Sequence, residues 1–131
     1  MLMLAGLSAY GHFYQKHSHR KVTEMETNKI TNKIVKAAME AWQQGNSELW
    51  LSFFIADAKL LDDGNIRNFK KFSTKAIRQE RFTSFDKVED DGLSIYGQFH
   101  SDTWGDFKTY FKFHINNEGR IVQLEIGQAT Y

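Results

Sequence analysis

An α+β fold, with a strongly curved antiparallel sheet wrapped around three N-terminal helices, is predicted by two changes of rhythm and one limit of size. Before Arg81 the apolar residues recur about every four positions; after it they recur every two. The chain has 131 residues, close to the usual size of one domain, and needs no covalent staple to bury a core.

The first helix is expected over residues 28–44. Ile30, Ile34, Ala38 and Trp42 fall four apart, with Val35, Ala37 and Ala41 beside them, while Lys29, Lys33, Lys36, Glu40 and Gln43 take the other face. Thr27 or Asn28 can cap its start, and Gly45 suits its end. Asn46 or Ser47 then caps a short second helix reaching Phe54, with Leu49, Trp50, Phe53 and Phe54 as its buried side. A short extended run, 58–61, leads to the turn Asp62-Asp63-Gly64-Asn65. A third helix, about 66–78 with Asn65 as cap, buries Ile66, Phe69, Phe72, Ala76 and Ile77.

Strands follow. The segment 82–88 ends at Asp90-Asp91-Gly92, and Leu93, Ile95, Gly97, Phe99 and Ser101 alternate with polar partners. Beyond the Trp104-Gly105-Asp106 turn, Phe107, Thr109, Phe111, Phe113 and Ile115 alternate likewise. Asn116-Asn117-Glu118-Gly119 is a hairpin loop, and a last strand over 121–129 places Val122, Leu124 and Ile126 on one face. Short turns between successive strands make an antiparallel meander with the helices on one side.

Composition removes several functions. There is no cysteine, so disulfides, thiolate catalysis and cysteine-based zinc sites are excluded. Net charge is +1 from 17 basic and 16 acidic side chains, which gives no field for nucleic acid or an anionic membrane. No apolar run reaches the ~20 residues of a membrane span, and a cytoplasmic location is expected. Residues 1–24 combine an apolar start with a basic, histidine-containing stretch of no clear period, and read as a flexible or non-native extension. The domain is therefore expected over residues 25–131, from Met25. His17-x-His19 has metal-ligand spacing but reads as part of a solvated arm, and no metal or other cofactor is expected.

The order helix, helix, short strand, helix, long meander resembles the nuclear transport factor 2-like superfamily, which includes ketosteroid isomerases and SnoaL-like polyketide cyclases. The residues carrying the resemblance are Gly45-Asn46 followed by Asp57-Ala58 and a glycine turn, and Phe113 followed by Gly119-Arg120-Ile121-Val122. It covers about residues 28–130. It implies a cone-shaped, cystatin-like fold, a pocket between helices and concave sheet, and homodimers through the convex face. Carried over from the isomerases, the general base falls on Asp62, the oxyanion-holding tyrosine on Ala38 and the second donor on Phe111. Only one polar member of the three is kept, and a base without an oxyanion partner lacks what is usually the largest catalytic contribution.

The leading expectation is thus a small-molecule-binding domain of the SnoaL-like type with an apolar pocket. The alternatives are a cofactor-independent isomerase, cyclase, hydratase or dehydratase with Asp62 as base, and a protein-interaction module using the sheet face. Asp62 reads in the first place as a turn carboxylate beside Asp63, capping local N–H groups. Ala38, Trp42, Trp50, Phe54 and Phe72 from the helical half are candidate pocket residues, with Phe82, Phe99 and Phe111 from the strands. Thr109 and Gln128 are the polar groups expected near the concave face. Tyr96, His100, Tyr110, Lys112 and His114 share the opposite parity and form the candidate dimer interface. Arg67, Lys70, Lys71, Lys75, Arg78 and Arg81, against a single Glu80, read as a solvated basic helix face. The expected ligand is a small apolar molecule.

Overall fold

The computed structural model describes residues 26–131. The expected N-terminal extension, its histidine pair and the Met25 start lie outside the described residues. Helix α1 (Lys33–Gln43) is followed by α2 (Ser47–Ser52), strands β1 (Phe54–Asp62) and β2 (Asn65–Arg67), helix α3 (Phe69–Ala76) and strands β3 (Glu80–Glu89), β4 (Ser94–Ser101), β5 (Gly105–Ile115) and β6 (Ile121–Gln128). No helix among the described residues is long and apolar enough to cross a membrane.

Local chemistry moves the helix starts from where the apolar period alone would put them. Helix α1 begins five residues late because Asn32, in extended backbone, accepts from the N–H groups of Ile34 and Val35. Its end is as expected: Gly45 follows the last turn at φ +73°. Asn46 caps α2 through Leu49 N. That helix stops before Phe54, which opens a nine-residue strand in place of the short run expected from 58.

The glycine turn also does more than the pattern suggested. Asp63 and Gly64 sit at φ +50° and +85°, the left-handed pair that joins two strands tightly. They fold Asn65–Arg67 back on β1 with Asp62 opposite Asn65. Residues 66 and 67 are therefore strand, Ile66 is exposed, and α3 starts later, capped by Asn68 through Lys71 N.

The sheet runs β2-β1-β6-β5-β4-β3 and is antiparallel except where β1 joins β6 in parallel. Register shifts between Phe82 and Ser84, Phe85 and Lys87, and His114 and Ile115 mark bulges, which bend and twist strands. The last of them exchanges Ile121 for Val122 on the buried face: Ile121, Leu124 and Ile126 are buried and Val122 is only half-buried. Arg120 ties this hairpin to β1 by donating Nη2–H to the Phe54 carbonyl at 2.6 Å.

The core is a cluster of aromatic rings between the helices and the sheet. Trp42 stacks on Phe72 at 5.7 Å and meets Trp50 and Phe111 edge-on at 4.9 and 5.4 Å. Strand β3 is a sheet edge, and side chains from the N-terminal region cover it. Gln43 donates to Phe82 O and accepts from Phe82 N, both at 2.8 Å. Glu26 accepts from Phe85 N while Lys29 donates to Phe85 O.

Candidate functional site

A cavity of about 680 Å3 opens between α3, the strands β1, β5 and β6, and the turn after β4. Its buried wall is formed by Phe72, Ala76, Phe99, Thr109, Phe111 and Ile126, with half-buried Phe107 beside them. Its mouth is polar. Arg67 and Lys75 stand there with Asp62, Asp63 and Glu80, and Trp104 sits at the rim with 76% of its surface exposed. The volume lies inside the range of roughly 300–1,000 Å3 typical of small-molecule sites. The lining mixes an aromatic wall with a charged mouth, where the sequence suggested an apolar pocket with Thr109 and Gln128 as its few polar groups.

The candidate pocket residues divide into two groups. Phe72, Phe99, Thr109, Phe111 and Gln128 line the cavity, as does Asp62. Ala38, Trp42, Trp50, Phe54 and Phe82 do not; they are fully or almost fully buried in the core behind it. Gln128 is exposed at the mouth, where its N–H faces Asp63 Oδ1 at 3.4 Å. Thr109 is buried and donates Oγ1–H to the Gly127 carbonyl at 2.6 Å, so its hydroxyl proton holds β5 to β6.

Asp62 reaches the cavity from the end of β1, but its Oδ2 accepts from Arg67 Nη1 at 2.6 Å. The same guanidinium lies 5.2 Å over the Phe72 ring. The pair fixes Arg67 at the mouth and occupies one oxygen of the carboxylate expected to act as base.

Glu80, which stood out in the sequence only as the lone acid among basic neighbours, also lines the cavity. It is half-buried at the start of β3 and accepts from Ser101 Oγ at 3.1 Å. Loss of hydration on burial raises its pKa from the ordinary carboxyl value; the Ser101 hydrogen bond and the charge of Arg67 oppose the rise, and Asp62 and Asp102 add to it. No sequence signal marks this, because Ser101 lies on the neighbouring strand.

The five candidate interface residues are on strands β4 and β5. Tyr96 and Tyr110 pair across those strands, and Lys112 lies over both rings at 5.8 and 5.0 Å. Tyr131 packs on Tyr96 at 6.0 Å and donates to Asp86 Oδ2, and burial and that hydrogen bond push its pKa up to about 12. His100 places its ring nitrogens 2.7 Å from Asp106 and 3.0 Å from Asp102, and His114 faces Glu125. Among the described residues no group of three or more His, Asp or Glu side chains is arranged to hold a metal ion.

The two core tryptophans differ in one testable way. Trp50 donates Nε1–H to buried Ser73 Oγ at 3.0 Å, whereas the buried Nε1–H of Trp42 has no partner among the described residues. Trp50→Phe leaves Ser73 unsatisfied and is expected to cost about 1–3 kcal/mol more than Trp42→Phe, which removes an orphan donor. Urea denaturation of both variants measures the difference; equal losses would contradict it.

No family model matches the chain, and no curated protein matches it in sequence. Solved structures do match in shape. One is a protein of unknown function from Cytophaga hutchinsonii, described as nuclear transport factor 2-like, at 11% identity and TM-score 0.61, covering 76% of this chain and 89% of that one. A candidate polyketide cyclase from Xanthomonas campestris pv. campestris matches at 15% identity and TM-score 0.56, covering 79% and 93%. The orange carotenoid protein of Anabaena (Nostoc), in a structure binding canthaxanthin, matches at 16% identity and TM-score 0.59; 74% of this chain aligns, with only 35% of that longer one. At such identities the likeness is one of architecture, and it agrees with the strand order and the helix-covered sheet face: this chain has the nuclear transport factor 2-like, cystatin-like α+β fold.

Proposed function

We propose that this protein binds a small, largely apolar molecule of a few fused rings in the cavity between α3 and the sheet. The observation that carries the reading is the cavity of about 680 Å3 with Phe72, Phe99, Phe107 and Phe111 on its wall. Aromatic walls with a few placed polar groups suit the burial of a flat apolar body. The match to a carotenoid-binding protein and to a candidate polyketide cyclase supports an apolar ligand.

The tryptophans supply the assay. Of the three in the chain, Trp42 and Trp50 are fully buried and Trp104 stands at the mouth. Titration with ethylnaphthalene is expected to shift or quench the Trp104 emission and to raise the melting temperature. In Trp104→Phe the melting shift is expected to persist while the emission change is lost. A saturated solution of the probe that leaves both readings unchanged overturns the proposal.

A further inference from the structure

Glu80 is placed at the mouth of the cavity, and among the described residues only its Oε2 is engaged. Ser101, its partner across β3 and β4, donates Oγ–H to Oε2 at 3.1 Å. Ser101 Oγ in turn accepts from Thr103 N at 3.2 Å and Trp104 N at 3.1 Å. The turn thus holds the hydroxyl with its proton directed at Glu80. Among the described residues no hydrogen bond engages Glu80 Oε1. The strand differs from that of Phe111, where the family resemblance would place a carboxyl donor.

We propose that Glu80 is the polar anchor of the cavity, its Oε1 donating a hydrogen bond, as the carboxylic acid, to an acceptor oxygen on an uncharged ligand. The proposal rests on the binding reading above and deepens it by naming the ligand's polar group: a carbonyl or ether oxygen on the apolar body. Two things support it. The other charges at the mouth balance, Arg67 and Lys75 against Asp62 and Asp63, so no net field selects a charged molecule. Burial favours the neutral form of Glu80. The charges that act on it come from three sides: Arg67 on β2 lowers its pKa, while Asp62 on β1 and Asp102 in the turn after β4 raise it. Lys75 on α3 lines the same cavity.

The test is calorimetric titration of the full chain with acetylnaphthalene and with ethylnaphthalene, from about pH 4, below the ordinary carboxyl value, to about pH 9. The ketone is expected to bind about five- to tenfold more tightly at the acid end, the worth of one hydrogen bond. The preference should fade as the pH rises and Glu80 loses its proton, because a carboxylate has no hydrogen to give. Glu80→Gln keeps a donor at every pH, so the ketone preference should persist there without the pH dependence. Glu80→Leu should abolish the preference for the ketone at every pH. Equal affinities of the two probes for the native chain at acid pH, or a preference unchanged in Glu80→Leu, overturn the assignment of Glu80 while leaving the cavity as a binding site. Failure of both probes to bind removes the binding reading and this inference with it.

Discussion

Phe111→Ala is expected to lower the stability of the fold by about 3–5 kcal/mol, the range for emptying a buried aromatic site. Phe111 is 1% exposed, and its ring lies 5.0 Å from Phe82, 5.4 Å from Trp42 and 5.8 Å from Phe99. These neighbours are themselves locked by other rings and cannot collapse into the gap. The same side chain borders the cavity, so the void created would merge with the existing space. Phe107→Ala provides the contrast: Phe107 lines the same cavity but is half-buried, and its loss should cost clearly less. Denaturant titrations of the two variants rank them. A loss under about 1 kcal/mol for Phe111→Ala would contradict the packing described, since it would be no more than a mild core truncation such as Ile→Val costs.

Gln43→Leu is expected to cost about 2–5 kcal/mol despite adding apolar character to an apolar site. The Gln43 amide sits where a further strand would pair, bonding both polar groups of the Phe82 peptide unit pair at 2.8 Å in a buried position. Leucine fills comparable space and leaves a buried N–H and a buried C=O without partners, each worth about 1–3 kcal/mol. Gln43→Glu keeps the acceptor but at neutral pH sets a buried carboxylate oxygen against the Phe82 carbonyl, and should cost at least as much. Thermal and urea unfolding of the pair tests the ordering; a Gln43→Leu variant as stable as the parent would show that water reaches these groups.

Much of the architecture was legible because it depends on neighbours in the chain. The four-residue stripe through Ala38 and Trp42 located the first helix, Gly45 its end, and the alternation from Phe107 to Ile115 the long central strand. What escaped was set by contacts distant in sequence or by backbone sign. Residues 65–67 carry no strand pattern; they are strand because Asp63 and Gly64 turn left-handed. The parallel pairing of β1 with β6 brings residue 60 to residue 124, a relation no local period encodes.

The site was legible only in part for a related reason. Alternation tells which face of a strand is buried, but not whether a buried ring meets another ring or a void. Phe82 and Phe99 share a face and a composition; the first is enclosed by aromatic neighbours and the second also borders the cavity. Glu80 was read as part of a solvated basic stretch, because its environment is built by Ser101 from another strand.

The parallel seam between β1 and β6 also governs when the binding space comes into being. Asp62 and Asp63 approach it from one side of that seam, Ile126, Gly127 and Gln128 from the other. The β4–β5 and β5–β6 hairpins supply part of its wall locally, but the enclosure is completed only by the non-local pairing of β1 with β6, a step whose loop entropy must be met before its contacts form. A molecule held there would bridge the two halves of that late closure and shift the folding equilibrium by mass action. Occupancy should accordingly slow the opening of this seam, and amide hydrogen exchange in β1 and β6 should register the guest more strongly than exchange in the β3–β4 hairpin.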